Sequence, residues 1–595
     1  MKVRKGDFFK YEASQYQKDI FNFVRHGHGN AVIQAFAGSA KTSTAIGALG
    51  QTDADDKCLF VAFNNSITEE LKEKMKDCDT TNVDVMTIHS LGYLIVRANL
   101  GNDVKLDQYK YCRFVKNNIC SLSTICDEFM SEKTVERYVD NIIKLVDYSR
   151  FYLCQCEREI KMVADKYDIP VTRDECSVVR KCLDWGKQNV ESIDYTDMVW
   201  LPYELSLHPK GNTYNWIFFD EAQDASLMAI ELLKRCFRRG TRMISFGDEN
   251  QAIYAFAGSM KDAFTKLKEL PHTTTFSLPI SYRCPREVVK LANKFVPEMT
   301  AMDDAIDGEI IAHMFTKDLG GNDMVLCRTT APLLKIYNKL LRMDVKCHMK
   351  GGDFGDKLID LLNTIDCDEL NASLLSDGVF VRLYDKLFNI RNDLIVGSRL
   401  DIRDATLSQP VMYLYDVIKS LLVLGEKCNK KSTLIERIKK VFADDNDNNG
   451  VCLSTIHKAK GLEADNVYIA CSSKLPSQSS KKDWEREQEK NLAYVAYTRA
   501  KKKLGFLDEN EIRPNGSMLD YNQIISDLNY IENKVCEITG VKAIKHSENS
   551  EMSRFRLRNT PNADMHSKDN KAVIEKNEDS EPSSSDDLLA ELLNL

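Results

Sequence analysis

Residues 35–42 read Ala-Phe-Ala-Gly-Ser-Ala-Lys-Thr, and the reading of this stretch decides the fold. It follows the apolar run Ala31-Val32-Ile33 and opens into Ser43-Thr44-Ala45-Ile46, so a buried strand, a tight small-residue loop and a helix start come in that order. Such a loop rings a polyphosphate with backbone N–H groups, aims a helix dipole at it and brings the Lys41 ammonium to the β/γ oxygens. The stretch Ala37, Gly38, Ser39, Ala40, Lys41, Thr42 and Ser43 is therefore the candidate nucleotide loop, with Thr42 placed to hold Mg²⁺. Alanine stands at 35 and 40 where the full phosphate-loop pattern has glycine. Alanine tolerates the left-handed region poorly, so Ala40 either avoids positive φ or carries strain. Alone, the stretch fits an ordinary strand-to-helix turn equally well.

A second stretch breaks the tie. Trp216-Ile217-Phe218-Phe219 runs into Asp220-Glu221-Ala222-Gln223-Asp224. Four apolar residues ending in paired acids describe a buried parallel strand that delivers carboxylates to the carboxyl edge of a sheet, where open α/β folds bind ligands. Asp220 would anchor the metal, directly or through water, and Glu221 would orient and deprotonate an attacking water. A strand followed by an acidic helix N-terminus is the competing reading.

The chain has 595 residues, enough for several domains, and a formal net charge of −8. A polyanion must then be met by local basic patches and stacking rings, which argues against a histone-like or coating protein. The 18 cysteines have neither disulfide-framework nor zinc-site spacing, so free buried thiols in a reducing compartment and no structural metal are expected. No apolar run is long enough to span a membrane and the N-terminus lacks a signal-type apolar segment, so an unsecreted protein is expected, cytoplasmic or nuclear according to its host.

Residues 11–24 read as an amphipathic helix capped by Ser14, from which the Gln17 amide could read adenine; an exposed helix glutamine is the alternative. Cys58 to Phe63 is a buried strand, leaving Phe63 and Asn64 at its carboxyl end for base stacking and phosphate contact. Thr87 to Ser90 is read as a third strand end, with His89 either donating to a phosphate or playing a structural part. The strand Arg242 to Phe246 runs into a segment where Gln251 can sense a γ-phosphate and Tyr254 and Phe256 offer rings to bases. A second unit begins near Phe276, with strands at Met324–Leu326, Val345–Met349, Val451–Thr455 and Asn466–Ala470, and a helix Asn491–Ala500. Beyond about residue 545 the chain is polar and expected to be disordered, ending in a short amphipathic segment at 585–595 that could dock a protein partner or simply fray.

The ordered segments AFAGSAKT, FVAFNN, TIHSLGY, DEAQD, GDENQAIYAFAG, LPISYRCP, STIHKAKGLEADNVYI and NLAYVAYTRA resemble the motifs of superfamily 1 helicases of the UvrD/Rep/PcrA-like branch. The eukaryotic F-box DNA helicase is a further relative, although no F-box is evident. The resemblance implies an α/β fold of two RecA-like domains with parallel sheets, each carrying a mainly helical insertion. Their expected extents are 1–95 with 194–275 for the first and 276–356 with 449–535 for the second, with insertions at 96–193 and 357–448. It also implies ATP and Mg²⁺ between the domains. By position, Gln17 is similar to the adenine reader, Tyr282 to the ring stacked on adenine and Glu463 to the ribose contact. Lys41, Thr42, Asp220, Glu221 and Gln251 match the phosphate, magnesium and water-activating set, and Arg283 and Arg499 match two arginine fingers. Phe63, Asn64, His89, Tyr254 and Phe256 match DNA-contacting positions. The implied activity is 3′ to 5′ movement on single-stranded DNA with unwinding at single-strand/duplex junctions. A protein-displacing translocase, a hydrolysis-poor binding module and an RNA track are the alternatives. Ala40 for glycine, Ser43 for an arginine and Phe256 for tryptophan depart from the family pattern.

Overall fold

Alternate residues of the buried strands feed two separate cores, as a pleated strand covered on both faces requires. Val32, Leu59, Val61, Ile217, Phe219 and Met243 pack on one face, and Ile33, Phe60, Phe218, Ile244 and Phe246 on the other. The computed structural model describes residues 2, 4–62, 65–122, 132–169, 171–211, 213–254, 263–363, 379–397, 401–425, 428–442, 450–477, 482–511 and 526. Phe63, Asn64, Phe256 and the expected C-terminal tail with its 585–595 segment lie outside these residues.

The first sheet contains β1 (Asn30–Ala35), β2 (Cys58–Ala62), β3 (Val83–Thr87), β4 (Trp216–Phe219), β5 (Arg242–Gly247) and β6 (Thr273–Leu278), in the order β3-β2-β4-β5-β1-β6 and parallel throughout. All six carboxyl ends therefore share one edge, with the ends of β4, β5 and β1 side by side. Strand β6 continues to Leu278, so this sheet reaches past residue 275. The second sheet contains β7 (Glu309–Met314), β8 (Met324–Cys327), β9 (Cys347–Met349), β10 (Val451–Thr455), β11 (Ala464–Ala470) and β12 (Ala500–Leu507), in the order β7-β12-β11-β8-β10-β9, again all parallel. The helix expected over 491–500 instead runs Asp483–Tyr497, and Thr498 and Arg499 form the turn into β12.

Helices dominate the described parts of both intervening regions. Those of 110–188 share one continuous core with a face of the first sheet. A buried charge knot fastens them there. Arg150, 1% exposed, donates to Asp194 and Asp197 at 2.8 Å each, while Lys110 and Tyr111 also donate to Asp197 at 2.8 Å. Buried charges persist only when paired in this way. No described helix is long and apolar enough to cross a membrane.

Candidate active site between the two sheets

Strand β1 ends in the loop 36–40, and the next two strands across the sheet, β5 and then β4, bring Asp248 and Asp220 to the same edge. Gly38 adopts φ 74° and Ala40 φ 57°, ψ 37°. The alanine therefore does carry left-handed strain, worth about 1–2 kcal/mol for an L-residue. It immediately precedes the helix Lys41–Leu49, so the curl that starts the helix falls on it. Glu221 is also left-handed, at φ 52°, where β4 turns into the short Ala222–Asp224 helical turn.

Lys41 Nζ lies 3.5 Å from Asp220 Oδ1 and pairs with Glu221, while Thr42 Oγ1 donates to Asp220 Oδ2 at 3.2 Å. Burial pulls the Lys41 ammonium down, but Glu221 and Asp220 more than offset this and hold it above the ordinary lysine value. Burial likewise pushes the Glu221 carboxyl up, and the Lys41 and Lys460 charges overcome it, leaving a pKa of about 2. At Asp220 burial wins and the pKa is raised. The hard oxygen donors of Thr42 and Asp220 suit Mg²⁺. Among the described residues no cluster of three or more His, Cys, Asp or Glu side chains has metal-holding geometry.

The second lobe closes over this edge. Tyr282 N–H donates to Gly38 O at 2.9 Å, and a methyl placed on Gly38 would sit 2.6 Å from Arg283 Cβ. Gln251 Nε2 donates to Asp248 Oδ2 at 2.7 Å, and its Oε1 accepts from Arg499 Nη2 at 3.3 Å. Arg499 is 2% exposed; burial and the Arg283 charge bring its guanidinium down to about 10, still charged at neutral pH. Arg283 Nε donates to Glu463 Oε2 at 2.6 Å, and Lys501 pairs with the same carboxylate at 2.5 Å. The Tyr282 ring is 42% exposed beside the loop. Phe36, Ala37 and Ile253 of the first lobe share an apolar core with Leu492, Tyr494 and Val495 of the second.

Gln17 stands apart from this set. Its Oε1 accepts from Ser14 N at 3.0 Å, its Nε2 donates to Thr44 Oγ1 at 2.9 Å, and it is 1% exposed. Its amide thus completes a helix capping box and braces the nucleotide-loop helix. Tyr254 donates to His457 O at 3.0 Å and lies under Lys460 Nζ, 5.1 Å from the ring centroid. His89 is exposed, on the first turn of the helix Ile88–Leu100 rather than on a strand end.

The UvrD/REP helicase N-terminal domain model matches residues 16–272, and the UvrD-like helicase C-terminal domain model matches residues 380–509. This chain belongs to the UvrD-like helicase family. It is 25% identical to F-box DNA helicase 1 of Gallus gallus over 510 residues, covering 79% of this chain and 46% of the relative. It is 21% identical to ATP-dependent DNA helicase PcrA of Staphylococcus aureus over 610 residues, covering 81% of each, and 23% identical to ATP-dependent DNA helicase Rep of Buchnera aphidicola over 308 residues, covering 48% of this chain and 42% of the relative. The chain spans about half the length of the F-box helicases it matches, 46% and 55%.

Several groups in this UvrD-like cleft were not singled out by sequence reasoning. Asp248, 0% exposed, accepts from Gln34, Asn250, Gln251 and Tyr494. Lys460 crosses from the second lobe to pair with Asp224 and donates to Gln251 O at 2.8 Å. Gln488 donates to Ile253 O at 2.6 Å, and Asn491 to Ala252 O at 3.0 Å. Asp224 and Lys460 sit inside quoted motifs, so proximity to assigned residues was their available signal. Asn491 likewise opens the quoted segment NLAYVAYTRA, whereas Gln488 lies outside every quoted motif and had no signal, since a polar helix face reads as solvated.

Proposed function

We propose that the chain is an ATP-driven motor that moves 3′ to 5′ on single-stranded DNA and opens duplex ahead of it. The observation that carries this reading is the convergence of both lobes on one phosphate-binding edge, where Arg499 of the second lobe meets Gln251 of the first at 3.3 Å. Cationic donors lent by a second domain stabilise developing phosphate charge only while the cleft is closed, so turnover becomes linked to lobe movement. The similarity to PcrA and Rep, both ATP-dependent DNA helicases, supports the same nucleotide and track.

In this reading the loop Ala37–Ser43 cradles the phosphates, Lys41 binds the β/γ oxygens, and Thr42 and Asp220 hold Mg²⁺. When bound, the metal supplies neutralisation of phosphate charge. Glu221 activates water, and Gln251, Arg283 and Arg499 surround the γ-phosphate. A carboxylate held below its ordinary pKa by Lys41 and Lys460 is a weakened base. Attraction of Lys41 to the incoming phosphates removes that partner and raises the basicity of Glu221, so the water-activating group is released by nucleotide arrival. Tyr282 and Glu463 flank the base and ribose, with Gln17 reaching adenine only by giving up its contact with Thr44. Tyr254 and His89, with Phe63, Asn64 and Phe256, form the DNA track, where ring stacking and phosphate contacts tolerate any base.

The test is ATP hydrolysis with and without single-stranded DNA, run beside strand displacement on 3′-tailed and 5′-tailed duplexes, with Lys41→Ala and Glu221→Gln as inactive controls. DNA-stimulated hydrolysis and opening of the 3′-tailed substrate are expected. Opening of the 5′-tailed substrate alone would overturn the polarity, and hydrolysis surviving Lys41→Ala would overturn the site.

A further inference from the structure

We propose that Tyr494 is a positioning residue of the hydrolytic site, whose hydroxyl ties the phosphate loop to the Asp248–Gln251 pair and so sets the γ-phosphate sensor when the second lobe is seated. The inference rests on the ATP-cleft reading above and adds to it a residue that contacts neither phosphate nor metal.

Tyr494 belongs to the Asp483–Tyr497 helix of the second lobe and is 0% exposed, yet its shortest hydroxyl contacts are both with the first lobe. Ala37 N–H donates to its oxygen at 2.9 Å. Its own proton is then free for Asp248 Oδ2 at 3.2 Å; Met299 Sδ, at 3.7 Å, is the weaker acceptor. Asp248 is surrounded by donors. Its Oδ1 accepts from Gln34 Nε2 at 2.9 Å and from Asn250 N and Nδ2 at 3.0 and 3.2 Å, and its Oδ2 accepts from Gln251 Nε2 at 2.7 Å and from Tyr494. Only an ionised carboxylate accepts from so many partners, even though burial pushes its pKa up.

The consequence falls on Gln251. With its NH₂ group held by Asp248, its carbonyl oxygen is turned to Arg499 Nη2. Tyr494 and Arg499 lie on one helix and its exit turn, so the second lobe grips the Asp248–Gln251 segment at two points. The hydrogen-bonded path runs Ala37, Tyr494, Asp248, Gln251, Arg499. Burial raises the Tyr494 phenol well above its ordinary pKa, so the hydroxyl stays protonated and its part is orientation rather than proton transfer.

The plain alternative is a core tyrosine that merely satisfies its hydroxyl. Tyr494→Phe separates the two, because it keeps the ring packing and removes only the link. The experiment measures single-stranded-DNA-stimulated ATP hydrolysis by the full chain for wild type, Tyr494→Phe, Gln251→Ala and the double variant, with thermal midpoints recorded for each. Loss of one buried hydrogen bond corresponds to about a tenfold fall in kcat, with KM for ATP changed less than about twofold. Because Tyr494 acts through Gln251, the double variant is expected to match Gln251→Ala alone. Asp248→Asn, which breaks the same link from the other side, is expected to give the same split between kcat and KM.

A Tyr494→Phe enzyme with wild-type kcat, a double variant whose losses multiply, or a fall in kcat explained by lost folded protein would each overturn the proposal. Lys41→Ala, run alongside, keeps the two readings distinguishable. If it retains hydrolysis, the cleft itself is misread; if it is dead while Tyr494→Phe is unaffected, only the positioning role fails.

Discussion

Substituting Gly38 by alanine tests the contact between the lobes at atomic scale. The new methyl would lie 2.6 Å from Arg283 Cβ, 2.7 Å from Ser281 Oγ and 3.3 Å from Arg283 N, all on the second lobe. Carbon–carbon contacts are favourable near 3.5–4.0 Å, so the lobes must separate by roughly 1 Å or distort. Two costs arise. The positive φ of 74° penalises any L-residue by about 1–2 kcal/mol, and that term falls on the loop whether the cleft is open or closed. Overpacking against the second lobe adds about 1–3 kcal/mol, and that term falls only on the closed cleft. Closure is then disfavoured by about 5- to 150-fold, and kcat for DNA-stimulated hydrolysis is expected to fall by that factor. Binding of a fluorescent ATP analogue is expected to weaken by no more than about thirtyfold, the equivalent of the loop strain alone. Wild-type kcat would refute the reasoning, because it would mean that turnover does not bring Arg283 against the loop.

At the other left-handed position of the same loop the opposite change is favourable. Ala40→Gly removes left-handed strain of about 1–2 kcal/mol against a backbone-entropy cost of about 0.5–1 kcal/mol, so the thermal midpoint should hold or rise, and a loss of more than about 1 kcal/mol in unfolding free energy would contradict this. Arg150→Ala leaves Asp194 and Asp197 buried without their guanidinium, which should cost about 3–5 kcal/mol and appear as an earlier melting transition and faster proteolysis within 96–205; a cost below about 1 kcal/mol would show that the knot is dispensable. Burial lifts Asp224 from 3.8 to about 6 against the pull of Lys460, so its ionised form, and the pairing with Lys460 across the cleft, are lost as pH falls through about 6. The kcat profile should show an acid limb near that value, absent in Asp224→Asn. Since the folded-state pKa is raised, the folded chain takes up this proton between roughly 4 and 6 and the group itself favours folding as pH drops, so the lost rate should not be accompanied by melting.

Much of the fold is legible because its strands are short apolar runs ending in chemistry-bearing residues. Ala31-Val32-Ile33 and Trp216–Phe219 are buried on both faces, which fixes them as interior parallel strands and fixes the edge to which Lys41 and Asp220 are delivered. Less legible is what the second lobe contributes. The segment Asp483–Lys490 is polar enough to pass for a loop or a solvated helix end, yet Gln488 and Glu489 are 4% and 2% exposed because they meet partners across the cleft or within their own lobe. Periodicity rules assign such a face to water, and only the docked arrangement shows otherwise. The same limitation hides Arg150 and Asp197, whose burial depends on mutual pairing between segments distant in sequence. Gln17 shows a different limit, since its engagement by its own helix cap and by Thr44 depends on how two segments pack and is not written in the local sequence.

The central claim is that guanidinium groups from the second lobe complete a hydrolytic site built on the first, and Arg499→Ala addresses it most directly. The measurement is single-turnover ATP hydrolysis in saturating single-stranded DNA, paired with nucleotide affinity on the same preparation. An arginine finger stabilises transferring phosphate by a factor of about a thousand or more. The account predicts a fall of that order in the hydrolytic rate, with nucleotide affinity held within about tenfold. A rate within threefold of wild type would contradict it.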